Sequence, residues 1–248
     1  MRPHEQVRRQ VQAEVRTSQV SRAIPRRRSG PHRPTPSGGT RSAALRALHQ
    51  CYVELADSGR HLLQELLTDG PPVQWQHYPA DDAFDAAGMY QWFYHSHSPE
   101  DRPGAVEHGH FHLFARTEAL GEAPTSARER QFLARFGATP SPAGTRHLIS
   151  MGLTPKGVPC SLFTVNSWVT GDQMLSARTT LELLQSLRLD TGHRAIDRVI
   201  VAVMRLNDHA LPALLRRRDA TLLRHRDEST DVFSDLTVEE LSSQRLAL

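Results

Sequence analysis

From Thr40 onward, Leu45, Leu48, Tyr52, Leu55, Leu62 and Leu66 recur at intervals of three, four or seven residues. That spacing gathers side chains onto one stripe of a helix. Gly70-Pro71-Pro72 closes the segment, so the pattern predicts one long amphipathic helix. Between Val73 and Trp168 the period falls toward two. Met89–His97, Glu107–Arg116, Arg146–Gly152 and Val158–Trp168 read as strands, rich in aromatic and aliphatic residues and divided by Pro/Gly turn signals. Thr154-Pro155-Lys156-Gly157 has the proline and glycine placement of a tight turn, which predicts a hairpin with Leu153 opposite Val158. A helix over Ser126–Phe136, bounded by Pro124 and Gly137, interrupts the strands.

Beyond Trp168 the helical period returns over Met174–Leu189, Ala195–Leu206 and Leu211–His225. The second of these is apolar nearly all round, as a helix packed on several sides is. A polar tail over 229–248 carries at most a short helix at Val238–Leu246. The order of elements predicts a single α+β domain over 41–228: a mainly antiparallel sheet of about four strands, flanked by an N-terminal helix and a C-terminal group of helices. No Gly-rich phosphate-binding turn follows any strand, which disfavours a doubly wound sheet.

Composition changes this picture at the N-terminus. Ten arginines against Glu5 and Glu14 give residues 1–41 a net charge of +8, whereas the remainder of the 248 residues carries −5. Residues 1–40 also hold Pro25, Pro31, Pro34 and Pro36, the pair Gly38-Gly39 and few aliphatic anchors, so they read as a disordered basic tail. The mildly acidic body is a poor candidate for nucleic-acid binding, and Arg216-Arg217-Arg218 reads as a solvated face. No apolar run reaches the ~18 to 20 residues of a membrane helix, and no apolar stretch follows the tail arginines as an export signal would require. Two cysteines, Cys51 and Cys160, are too few for a disulfide framework, and the expectation is a cytoplasmic protein.

Five of the 14 histidines fall within eighteen residues, as His95-Ser96-His97 and His108-Gly109-His110-Phe111-His112. Alternate residues of a strand share a face. If His97 faces His108, then His95 faces His110, Phe93 faces His112, and both rows share one face; a slip of one residue would part them. Two such strands could hold one ion, Zn(II) through neutral imidazoles or Fe(II) through two histidines and a carboxylate. Any three of His95, His97, His108, His110 and His112 are candidate ligands. Asp81 and Asp82 are candidate ligands or general bases, with Asp85 nearby, and Tyr78 or Tyr94 is placed to position substrate. Strict alternation turns Glu107 away from this face. His147 is expected opposite Thr164, on the side of Ile149, Leu162 and Asn166. Arg146 and Trp168 could meet an anionic or planar ligand, though packing is the ordinary use of both. Cys160, mid-strand among apolar residues, reads as an inert thiol.

The blocks His77-Tyr78-Pro79-Ala80-Asp81-Asp82, Tyr94-His95-Ser96-His97 and Glu107-His108-Gly109-His110-Phe111-His112 resemble those of an uncharacterised bacterial family, a domain of unknown function with H-Y-P-x-x-D, Y-H-x-H and E-H-G-H-F-H segments. The resemblance covers most of residues 42–210 and implies a set of positions without a reaction. The residues themselves leave two expectations open. One is a Zn(II)- or Fe(II)-dependent enzyme acting on a small molecule at a His-lined sheet face. The other is a non-catalytic module that binds a ligand or partner through a hydrogen-bonded histidine cluster.

Overall fold

In a computed structural model the described residues are 38–68, 70–97, 107–226 and 231–247. The expected disordered tail, through residue 37, and residues 98–106 between the two histidine-bearing segments lie outside them. Helix α1 spans Gly38–Asp57, and strands β1 (Tyr78–Phe84), β2 (Tyr90–Ser96) and β3 (Gly109–Arg116) follow. Short helices α2 (Thr117–Leu120) and α3 (Ala127–Ala134) precede β4 (Thr145–Leu153) and β5 (Pro159–Val165). Then come α4 (Ser167–Thr170), α5 (Ala177–Gln185), α6 (Arg194–Leu206), α7 (Leu211–His225) and β6 (Glu240–Arg245). All six strands join one sheet in sequence order, each antiparallel to the next. The fold is therefore α+β. Among the described residues no helix is long and apolar enough to cross a membrane.

One face of the sheet supplies the main core. Trp92, Tyr94, Phe111, Leu113, Ile149, Met151, Leu153 and Leu162 pack there with Leu48, Cys51 and Leu55 of α1 and Ile196, Val199, Ile200 and Val203 of α6. Each of these α6 side chains is at most 1% exposed, as an all-round apolar helix requires. A smaller cluster gathers Phe132, Leu133 and Phe136 from α3 and its C-terminal end with Leu222, Phe233, Val238 and Leu241.

Several expectations are corrected. The N-terminal helix ends at Asp57, where Gly59 adopts φ 63°. Leu62, Leu63 and Leu66 are buried from the turns that follow, because the apolar spacing outlasts the helix without requiring it. Leu45 faces solvent at 53% exposure, and Ala44, Leu48, Cys51 and Leu55 form the buried stripe.

The sheet has two more strands than expected. β1 crosses the Pro79-containing segment at the sheet edge, where a missing N–H is tolerated. The segment expected as a polar tail with a helix at Val238–Leu246 supplies β6 on β5. Its alternation is weak because only Leu241 is a large apolar residue within the strand, while the buried Ser242 hydroxyl meets Thr164 at 2.8 Å. Arg218 does not belong to a solvated face. It is 1% exposed, donates to the Leu175 carbonyl at 2.8 Å and lies against the Phe132 ring. Arg146 is likewise a packing residue, donating to the carbonyls of Ser141, Ala143 and Thr145, and the Trp168 indole donates to the Val238 carbonyl.

Candidate metal centre

The register of β2 on β3 places His95 opposite His110, Ser96 opposite Gly109 and Phe93 opposite His112, and the His97 N–H donates to the His108 carbonyl. The pleat then puts His95, His97, His110 and His112 on the face opposite the main core. Trp92, Tyr94, Phe111 and Leu113 anchor the other face in apolar packing, so a one-residue slip would bury imidazoles and expose the core.

His95, His110 and His112 are 8, 3 and 1% exposed, and His97 is half-buried. The Nε2 atoms of His95 and His110 lie 2.8 Å apart, and those of His110 and His112 lie 2.9 Å apart. His97 completes a set with His95 and His110 whose ligand atoms all fall within 4.8 Å of one another. This buried cluster could hold a metal ion. Burial, reinforced by the neighbouring imidazoles with His110 first among them, holds His95 and His112 well below the ordinary histidine pKa. Both are therefore neutral at pH 7, the form that offers a lone pair.

The outward nitrogens are held in turn. Glu107 Oε1 meets His110 Nδ1 at 3.3 Å, while its other oxygen accepts from Ser161. His112 Nδ1 meets both the Ser150 hydroxyl and His147 Nε2 at 3.1 Å. Such contacts fix which ring nitrogen faces the centre. Phe93 and Phe163 close on the rings from the sides. Trp75 sets its indole edge-on against His95 and His97, with centroids at 5.7 and 4.5 Å.

Not every candidate reaches the centre. His108 lies before β3 begins, is exposed, and shares a hydrogen bond with the Tyr94 hydroxyl at 3.2 Å. Outside the paired strand the pleat no longer dictates its direction. For the same reason Glu107, expected to turn away, reaches His110. Tyr94 is fully buried on the core face, where burial raises its pKa. Tyr78 pairs with it in register, and its hydroxyl accepts from the Val73 N–H. Neither tyrosine lies among the histidines. Asp81 is exposed. Asp85 is buried and accepts from the Asp190 N–H. Asp82 stands one residue removed from the cluster: its carboxylate holds His77, which stacks on Phe93.

His147 joins the site by a route that alternation could not forecast. The β3–β4 register shifts between Leu113, opposite Ile149, and Phe114, opposite His147. This bulge inserts Leu148 and reverses the parity of the residues before it. His147 therefore shares a face with Ser150, while Ile149 and Leu162 remain in the core. Its pKa is lowered to about 3, by burial first and by Arg218 second.

The model of a family described as a domain of unknown function (DUF6969) matches residues 42–246, from early α1 to the end of β6. No curated protein and no solved structure matches the chain.

Proposed function

Because this chain belongs to the DUF6969 family, whose description carries no reaction, its function must be argued from the site, and we propose that it is a metalloprotein with a mononuclear centre on His95, His110 and His112. His97 is placed as a fourth ligand, or as the residue beside an open position where water and a small-molecule substrate meet. One observation carries this reading: three imidazoles bring the same ring nitrogen, Nε2, together, with His110 Nε2 2.8 Å from that of His95 and 2.9 Å from that of His112. A neutral imidazole nitrogen has either one proton or one in-plane lone pair. His110 Nε2, close to two other Nε2 atoms, can make a good hydrogen bond with only one of them. One cation would accept a lone pair from all three.

Four ligands around zinc at about 2.0–2.1 Å stand about 3.3–3.4 Å apart, so the His95–His110 and His110–His112 pairs need to open by only about half an ångström. The all-imidazole donor set favours Zn(II) over the two-histidine, one-carboxylate iron centre, since Glu107 already engages an outward nitrogen. The competing reading, a hydrogen-bonded cluster in a non-catalytic binding module, draws support from the same 2.8–2.9 Å separations, which are hydrogen-bond lengths.

Elemental analysis separates the two. We expect about one metal ion per chain to survive dialysis of the purified protein, and His110→Ala to lose it while His225→Ala, on α7, retains it. Equal metal content in both variants, or no uptake under zinc or anaerobic ferrous loading, would favour the hydrogen-bonded cluster.

A further inference from the structure

Beside the histidine cluster lies a second titratable pair that metal binding does not use. On the histidine face of β2, Gln91, Phe93, His95 and His97 succeed one another, and the segment from Trp75 to Asp82 covers that row in the opposite order. The Gln91 amide donates to Asp82 Oδ2 at 3.1 Å. The His77 ring stacks on Phe93 at 3.6 Å, 10° from parallel, and Trp75 packs against His95 and His97. Asp82 Oδ1 meets His77 Nδ1 at 3.0 Å. That contact engages Nδ1 and leaves Nε2 outside the pair, and the centroid of the His77 ring lies 6.4 Å from that of His95. The pair is thus a near neighbour of the cluster.

The backbone around His77 is unusual. Trp75 and Asp82 both lie in the left-handed region, with φ 68° and 56°. A bulky residue seldom adopts that region, and such conformations concentrate where a site needs a side chain in one exact place. Packing on Phe93 would restrain the His77 ring without a carboxylate at its Nδ1. The carboxylate adds a defined tautomer, with Nδ1 protonated and Nε2 free to accept a proton.

We propose that His77, positioned by Asp82, is a proton-transfer residue of the metal site, and that the site hydrolyses neutral carbonyl compounds of the carboxylic ester class; this role rests on the metal reading above. A water held at the cluster's ion gives one proton to His77 Nε2 as its oxygen forms a bond to the acyl carbon, and the carbonyl π pair moves onto the carbonyl oxygen. When that pair returns, the bond to the leaving alkoxide breaks and the alkoxide takes the proton from His77. The products are a carboxylic acid and an alcohol, and water is the only co-reactant. Trp75, Phe93 and Phe163 pack around the imidazoles, an apolar surrounding that suits an uncharged substrate over an anionic phosphate.

The test uses the full chain loaded with zinc, with 4-nitrophenyl acetate as the probe and zinc per chain measured on the same samples. We expect zinc-dependent hydrolysis by the unaltered protein. His77→Gln should retain its zinc and its thermal transition yet lose about 100-fold or more in kcat, with KM little changed. Asp82→Asn should lose about 10-fold with zinc retained, and Asp82→Glu should recover part of that loss. Zinc-loaded variants that hydrolyse at the unaltered rate would overturn the role of His77. So would an unaltered protein that holds zinc but hydrolyses no faster than its zinc-free form. An unaltered protein that takes up neither zinc nor, anaerobically, ferrous iron would remove the metal reading itself, and this role with it. Should His77→Gln fail to fold, the Asp82 variants still decide the matter.

Discussion

Asp172 shows how much a single buried group can reveal about the wall behind the histidines. Its carboxylate accepts from the His147 backbone N–H and, at 2.8 Å, from the Thr170 hydroxyl. Burial nevertheless dominates these contacts and raises its pKa to about 6, against about 3.9 in an unfolded chain. Between those two values the folded protein holds the proton and the unfolded chain has lost it. The group's contribution to stability therefore declines as pH rises from about 4 to about 6, at up to about 1.4 kcal/mol per pH unit, and stays low above that. Asp172→Asn keeps an oxygen for the His147 N–H and removes the titration. Its stability relative to the unaltered protein should increase progressively between pH 4 and pH 6, as measured by paired urea melts. A difference that does not vary across that window would show that Asp172 does not titrate there.

At the scale of elements, the β2–β3–β4 ladder builds the site, and two glycines show how closely it is packed. A Cβ on Gly109 would run into the His95 carbonyl and the Tyr94 hydroxyl, so a side chain there would push β3 off β2. Gly152, opposite His110 on β4, gives space to a different group: a Cβ there would meet the Ser161 hydroxyl and the Glu107 carboxylate. Both are ends of movable side chains, which can shift while the backbone stays. Gly152→Ala should therefore fold, displace Glu107 from His110 and weaken metal retention by about 10-fold to 100-fold, the usual cost of losing a partner that orients a ligand. Competition against a chromophoric chelator would measure it. Unchanged affinity would mean that Glu107 does not orient His110.

For the whole molecule, the two ends of the chain should behave differently on truncation. Residues 1–37 have a composition without an apolar face, and the family match starts only at residue 42. A chain starting at Gly38 should keep the full-length thermal transition. Removing 229–248 takes away β6 together with Phe233, Val238 and Leu241 of the second cluster. It also strips the carbonyls of Val232 and Val238 from the buried Asn166 amide. Burying an amide without acceptors costs about 1–3 kcal/mol before any packing loss is counted, so this truncation should give insoluble protein or a markedly lower transition. Comparable melting of both truncated chains would argue against a structural role for β6.

Much of the site follows from a local rule that the sequence carries by itself. The pleat alternates side chains at every residue, so two H-x-H rows on paired strands had to share a face once the register was set, and the apolar row Trp92, Tyr94, Phe111, Leu113 set it. The helices Ala195–Leu206 and Leu211–His225 were equally legible, because 3.6-residue spacing acts within one segment. What depended on contacts between distant segments was not legible. The bulge that turns His147 onto the histidine face arises from the pairing of β3 with β4, and nothing in the neighbourhood of Leu148 announces it. His108 and Glu107 exchange their expected sides because the ladder begins at Gly109, a boundary decided by the partner strand. β6 is a strand because β5 offers it an edge and the second cluster takes its apolar side chains. The sequence by itself therefore determined which histidines could share a face; the tertiary structure decided which of them meet, and which neighbours hold their outer nitrogens, since ring-to-ring distances depend on the pairing of segments far apart in the chain.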